Sequence, residues 1–327
     1  MGERWLSTKI HCFNPAKEKK SRVNNRVVFH YTSPEALMSI LQSTHLRFTD
    51  CQFLNDKSEY THIHIPLKQA FEEIKDSLHD DYMSGLIQEY LDHGYQYSEL
   101  IQEKPDVGFK GLRMYEMRYY VFCTSLDNDL LNMWNYYVKG GNYQGYNIGI
   151  SVKDIINSFS NITDEKVNIY FGPIIYTDRE KIELLKRIIL DIDQKLSRAL
   201  EKITDIQERG ITTDIHYGEL LSYIQNYRLF FKDGSFSGEK EYRFVIKMPA
   251  AQQKHSSNTP QVNYSIRQGV ITPHCDVRFE KEGVIKKITL APMMDHELAK
   301  VGLERYLHDQ GYKKEIIIDN SNIPIRY

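Results

Sequence analysis

The sequence predicts an α+β fold: a mixed, mainly antiparallel sheet core interrupted by a long helical-hairpin insertion. Strand-like and helix-like segments follow one another without a regular βαβ alternation. Between two strand-like segments lies a run in which Ile182, Leu185, Ile189, Ile192, Leu196, Ala199, Ile203 and Ile206 recur at spacings of three and four. The 327 residues, 41% hydrophobic and 26% charged, are those of an ordinary globular chain able to bury a large core.

Residues 1–25 are polar and basic around KEKKSR and read as a loosely ordered lead-in to a single α+β domain over 26–327. That domain opens with VVFHYTSPEALMSIL (27–41). Val27, Val28 and Phe29 favour a strand. Ser33 suits an N-cap, Pro34 the first helical position and Glu35 the first turn. Leu37, Ile40 and Leu41 then form a helical apolar stripe. His30 and Tyr31 therefore stand at a strand-to-helix switch, where burial alone would favour another Val or Ile.

HLRFTD follows as a strand carrying Arg47. Pro66 starts a helix with Leu67, Ala70, Phe71, Ile74 and Leu78 on one face, and a second helical stretch lies near Leu86 to Leu91. YYVFCTS (119–125) reads as a strand that breaks at LDND. LLNMWNYYV (130–138) reads as a short helix stopped by Gly140-Gly141, its Leu130, Leu131 and Trp134 on one face. GYNIGISV (145–152) and VNIYFGPIIY (167–176) are further strands.

The insertion spans about 179–232. Gly210 is placed to end its first helix, and Tyr217, Leu220, Ile224, Tyr227 and Phe231 continue the rhythm in a second. Packing of the two helices on each other is expected, with a coiled-coil seam to a partner or a second copy as the alternative. EYRFVIKM (241–248) and GVIKKITLAP (283–292) are later strands, a helix covers 296–308, and EIIIDNSNIPIRY contains a last short strand.

The charge balance is nearly even, with 42 basic and 44 acidic side chains. It argues against broad nonspecific grip on nucleic acid. No run of 18 apolar residues offers a membrane span, and the opening MGERWLSTKIHCF lacks the apolar core of a signal peptide. A cytoplasmic protein with no membrane partner is expected. Cys12, Cys51, Cys123 and Cys275 are far apart in sequence, and reduced thiols are expected.

No GxGxxG, Walker loop, HExxH or GxSxG is present. Asp50, Asn55, Asp56, Glu59, His62 and His64 have residue types that suit a metal, but turn chemistry explains them without one, and no metal is expected. GGNYQGYNIG (140–149) is glycine-rich but lacks the following helix that would supply an anion site. Glu239-Lys240-Glu241-Tyr242-Arg243 is harder to set aside, although a surface charge ladder accounts for it equally well. If Glu241 begins its strand, alternation puts Glu241 and Arg243 on one face and Tyr242 on the other.

FHYTSPEALMSIL, FLNDKSEY, CTSLDNDLLNMWNYYV, GYNIGI, FFKDGSFSGEKEYRFV, ITLAP and SNIPIRY, in that order, resemble the bacterial family catalogued as domain of unknown function 2971. The resemblance runs from about residue 27 to the end. Lys57 stands where family members often carry proline, and the hairpin is larger than usual; the other motifs are intact.

The His-Tyr strand end, the helix after it and the later Glu-bearing strand are also similar to ADP-ribosyltransferase-like folds. That second resemblance implies an enzyme consuming NAD as substrate, by transfer to a protein or nucleic acid acceptor or by hydrolysis, with a toxin or antiphage role as an extension. It implies catalytic roles for Glu241 and His30, the histidine also holding the ribose. Tyr31, Thr32, Tyr137 and Tyr146 become candidate NAD contacts, with Tyr136 as a further stacking candidate. Arg243 or Arg47 would meet the phosphates. Two other classes stay open: a noncatalytic nucleotide- or partner-binding module, and a metal-dependent nuclease using the Asp50–His64 cluster.

Overall fold

Short strands with apolar residues at alternate positions assemble into one curled, mixed sheet of eleven strands. The computed structural model describes residues 10–12, 23–54, 62–103, 117–138, 143–162, 164, 166–250, 260–267, 269–312 and 316–325. In chain order the strands are β1 (Ile10–Cys12), β2 (Val27–Thr32), β3 (His45–Asp50), β4 (Met117–Ser125), β5 (Tyr146–Ser151) and β6 (Asn168–Pro173). They continue with β7 (Glu241–Pro249), β8 (Val262–Arg267), β9 (Val270–Arg278), β10 (Ile285–Leu290) and β11 (Ile317–Asn320). The helices are α1 (Pro34–Ser43), α2 (His64–Ile74), α3 (Asp81–Glu103), α4 (Leu131–Tyr137), α5 (Val152–Ser158), α6 (Asp178–Leu200), α7 (Ile206–Tyr227) and α8 (His296–Asp309).

The described residues fall into two compact units. The first holds the whole sheet with α1, α4, α5 and α8; the second comprises 55–116 and 174–236 and holds α2, α3, α6 and α7. The hairpin helices α6 and α7 thus share a unit with α2 and α3, which the sequence reading left with the sheet.

Strand order is β1-β6-β7-β4-β2-β5-β10-β11, with β3 joining β4 to β9 and β8 outside β9. Only the β1/β6 and β10/β11 pairings are parallel among the described strands. The expected mixed, mainly antiparallel sheet is what forms.

Strand alternation sorts the side chains onto two faces. On the first, Val28, Phe122, Ile148, Phe171, Phe244 and Ile288 pack with Leu37 and Leu41 of α1, Ile155 and Ile156 of α5, and Leu303 and Leu307 of α8. This is the main core. On the second, Tyr31 and Phe29 meet Met133 and Trp134 of α4 in a smaller cluster.

Local chemistry sets α1 as expected. Ser33 Oγ accepts from the Ala36 N–H at 3.3 Å, and Pro34 opens the helix. In the second unit, Ile189, Ile192 and Leu196 of α6 and Leu220 and Ile224 of α7 are buried. The α6 helix ends at Leu200, ten residues before the glycine expected to stop it. Arg209 Nη1 donates to the Leu200 and Ile203 carbonyls at 2.9 and 3.0 Å and so satisfies the frayed end. Gly210 instead lies inside α7, which Asp205 caps through the Glu208 N–H at 2.8 Å. Asp205 followed by Glu208 was the helix-start signal there.

Two further strand groups depart from the sequence reading. Ile10–Cys12, within the supposed loose lead-in, pairs in parallel with Ile169–Phe171. The β8/β9 hairpin went unread because Pro273 interrupts its apolar run, and because Tyr264, Ile266 and Ile271 are exposed rather than facing a core. Among the described residues no helix is long and apolar enough to cross a membrane. No disulfide joins the four cysteines, and burial pushes the Cys275 thiol well above its ordinary range.

Candidate functional site

A tight turn delivers Glu241 to the start of β7. Lys240 takes the left-handed conformation there, at φ 46°. Its carbonyl accepts from the Leu126 N–H at 2.7 Å, and its ammonium reaches Asp127 Oδ2 at 2.9 Å. Both contacts tie the turn to the loop after β4, so the strand begins in one place.

From that start, Glu241 and Arg243 point to one face and Tyr242 to the other, where Tyr242 joins the main core. Arg243 grips the carboxylate with both edges of its fork: Nε to Oε1 at 2.5 Å and Nη2 to Oε2 at 3.1 Å. Glu241 is 4% exposed and Arg243 1%. A paired, bidentate geometry is what makes two charges tolerable in such a place. The carboxylate sits directly opposite Ser125 of β4, and Ser125 in turn opposite Phe29 of β2. On the other side of Arg243 the cross-strand neighbour is Gly172.

Next to this row the loop 126–130 is bolted down from several directions. The Tyr31 phenol donates to the Asp127 carbonyl at 3.0 Å and accepts from the Leu130 N–H at 2.9 Å. Burial raises its pKa well beyond the usual phenol range. Its ring packs edge-on against Trp134, with centroids 4.7 Å apart. Asp129 receives the Trp134 indole N–H at 2.9 Å, the Ser321 hydroxyl at 2.6 Å and the Asn322 N–H at 2.7 Å. Burial works against ionisation of Asp127, yet its bonds from Lys240 and the Asp129 N–H hold it below its ordinary pKa.

His30 belongs elsewhere. One residue before Tyr31, it turns to the main-core face, where its ring lies 4.8 Å from that of Phe122. Its Nδ1 is 3.1 Å from the Cys123 carbonyl. A carbonyl can only accept, so Nδ1 carries the proton in the neutral ring. Burial holds its pKa below the ordinary value, against the opposing pull of that bond. His30 and Glu241 therefore do not share a face of the sheet, contrary to the pairing that the ADP-ribosyltransferase resemblance implied. The physical reason is the two-residue period of the strand: Phe29, Ser125 and Glu241 stand in one cross-strand row, and His30 is one residue out of step.

Thr32 and Tyr146 follow His30 onto its face, as cross-strand neighbours of each other. Thr32 is buried, and Tyr146 is half-buried against the main core with its phenol pKa raised by burial. Tyr137 borders the Tyr31–Trp134 cluster, whereas Tyr136 is 71% exposed. Arg47 is exposed and engages Asp276 of β9 at 3.5 Å. Trp134, fully buried, packs as a core residue.

The described residues of the alternative metal cluster have other occupations. Asp50 caps a short turn through the Gln52 N–H at 3.0 Å. His62 Nε2 meets the Lys181 ammonium at 2.9 Å, and His64 stacks near Tyr90. Asn55, Asp56 and Glu59 lie outside the described residues, as do Gly140 and Gly141. Among the described residues no group of three His, Cys, Asp or Glu side chains is placed to hold a metal.

Sequence reasoning missed Ser125, Asp127, Asp129 and Asn147, reading LDND only as a strand break. The order of the motifs held the clue. Six of the seven segments quoted above send a side chain to this one region: Tyr31; Ser125, Asp127, Asp129 and Trp134; Asn147; Glu241 and Arg243; Thr289; and Ser321. The region is a polar, densely hydrogen-bonded sheet face around a buried carboxylate.

Residues 133–244 match the family model described as "Protein of unknown function (DUF2971)". That segment is similar to this family. The DUF2971 match starts one residue before Trp134 and ends one after Arg243, so it encloses Asn147, Glu241 and both helices of the hairpin. It is narrower than the resemblance read from the motifs, which began near residue 27. No curated protein and no solved structure matches the chain.

Proposed function

We propose that the chain is an NAD-consuming enzyme of ADP-ribosyltransferase-like type, with Glu241 as its working carboxylate. The observation that carries the reading is the Glu241–Arg243 fork at the start of a central strand. It keeps a negative charge in a fixed position away from bulk water, where charge stabilisation is strongest. Loss of nicotinamide from NAD leaves an oxocarbenium-like ribose, similar in charge to the glycosidase transition state. A preorganised carboxylate steadies that charge without a metal. Water as acceptor gives hydrolysis; a protein or nucleic acid gives transfer. Either outcome suits a toxin or antiphage effector acting through NAD loss or covalent modification.

In this reading His30 supports the sheet from its other face, and the substrate side belongs to Glu241, Ser125 and the loop 126–130. A second reading has its own supporting observation. Both Glu241 oxygens are held by Arg243, an arrangement that equally suits a noncatalytic module recognising a nucleotide or partner. Incubating the purified chain with NAD in metal-free buffer separates the two. Release of nicotinamide supports the enzyme, and saturable binding without release supports the module.

A further inference from the structure

β8 (Val262–Arg267) forms one margin of the sheet. It pairs with β9 on its inner side, and among the described residues no strand pairs with its outer side. The hairpin register decides which backbone groups face outward. Arg267 pairs with Val270 across a two-residue loop, so this closing pair exchanges both its hydrogen bonds. Ser265 with Thr272 and Asn263 with His274 then do the same. The N–H and C=O groups of Val262, Tyr264 and Ile266 therefore point away from β9.

The side chains of these same residues share one face. Val262 stands opposite Cys275 and packs against the main core, while Tyr264 and Ile266 stand opposite Pro273 and Ile271. Beyond Val262 that face leaves the core: Tyr264, Ile266 and Ile271 are 64%, 79% and 67% exposed. Sheet margins are ordinarily guarded by lysine, proline, a bulge or an inward-pointing charge, because an open row of amides and carbonyls recruits another strand. The stretch from Val262 to Ile266 carries none of these residues, and it pairs with β9 without a register shift.

We propose that this margin pairs with the same margin of a second copy of the chain, antiparallel about a two-fold axis through Tyr264. The margin is self-complementary in that register, which favours a second copy over an unrelated peptide. Tyr264 meets its own counterpart and Val262 meets the counterpart of Ile266, so every outward residue faces an outward residue. No other register pairs all of them. The apolar faces fall on the same side of the joined sheet, with ring beside ring and Val beside Ile. Arg267, the one charged residue of β8, comes opposite Gln261, so no like charges oppose. A single strand margin is a small interface, and the dimer is expected to have a Kd on the order of 10 μM.

The test is sedimentation of the full chain from about 1 to about 100 μM, with wild type and Tyr264→Lys compared. Wild type is expected to pass from monomer to dimer across that range. Tyr264→Lys sets two ammonium groups against each other on the axis and should weaken association roughly tenfold. It should melt with wild type, because the side chain it replaces is exposed. Tyr264→Cys should cross-link to its own counterpart under mild oxidation, since directly opposed, hydrogen-bonded residues have Cα atoms about 5.5 Å apart, within disulfide reach. Ser265→Cys, which meets the counterpart of Asn263 on the other face, should not. Wild type that stays monomeric at about 100 μM overturns the inference. So does a dimer unaffected by Tyr264→Lys, which would place the contact on another surface. So does a monomer whose Tyr264 and Ile266 amides are protected from hydrogen exchange, which would give the margin to another segment of the same chain.

Discussion

Arg243 and Glu241 form a buried two-pronged ion pair, at 2.5 and 3.1 Å, between residues two apart on one strand. Arg243→Met is expected to destabilise the chain by about 3–5 kcal/mol, because it takes the two-pronged cation from a buried carboxylate. Adding Glu241→Leu should restore most of that loss, since an apolar pair of similar volume removes both desolvation penalties. Urea unfolding of the two single variants and the double variant measures the coupling. Additive effects would mean that the pair contributes no mutual stabilisation.

Trp134 separates packing from hydrogen bonding. Trp134→Ala empties a fully buried site and should cost about 3–5 kcal/mol. Trp134→Phe keeps much of the ring but loses the bond to Asp129, which retains Ser321 and Asn322. Its hydrogen-bond loss alone is expected to be about 1 kcal/mol. Equal unfolding midpoints for wild type and Trp134→Ala would contradict the packing described.

His30 makes stability depend on pH with a defined sign. Its folded pKa lies below the ordinary 6.5, so below that value the unfolded chain binds the proton more readily than the folded one. Stability rises with pH through this window and is complete above it; it falls as pH drops from 6.5 towards the folded pKa. His30→Gln can still donate to the Cys123 carbonyl but does not titrate. Unfolding midpoints measured from about pH 5 to about pH 8, bracketing the histidine range, should show a flatter profile for the variant. Parallel profiles would refute the assignment. The same variant should keep the wild-type rate on NAD, since His30 faces away from Glu241.

The α6/α7 pair should depend on its buried apolar residues. Ile189 and Leu196 are 1% and 0% exposed. Replacing both by Asp puts two unpaired charges where burial is most costly. The expected result is a large drop in melting temperature, read by circular dichroism. A variant that melts with wild type would show that these helices are not held by this seam.

Much of this architecture was legible in the residues. Ser33-Pro34-Glu35 announced α1, and the alternation of EYRFVIKM placed Glu241 and Arg243 together, because both signals act within a few residues. The same rule applied to β2 separates His30 from Tyr31, two neighbours that the ADP-ribosyltransferase-like resemblance puts together around NAD. What stayed hidden depended on pairing between distant segments. Ser125 and Glu241 meet only through the β4/β7 register, and Asp129 finds Ser321 across the chain. Gly210 misled because a glycine weakens a helix by only about 1 kcal/mol relative to alanine, too little to end one that is capped and packed.

The most direct test of the central claim is nicotinamide release from NAD, without metal, by wild type and Glu241→Gln. Gln retains the size and one acceptor but removes the negative charge, and circular dichroism establishes that the compared samples are folded. If Glu241 steadies the ribosyl cation, the loss falls on turnover more than on NAD binding, because the charge develops only as nicotinamide leaves. A drop of roughly a hundredfold or more is expected. The account is contradicted if wild type, supplied with candidate protein and nucleic acid acceptors, releases no nicotinamide, or if Glu241→Gln releases it at the wild-type rate.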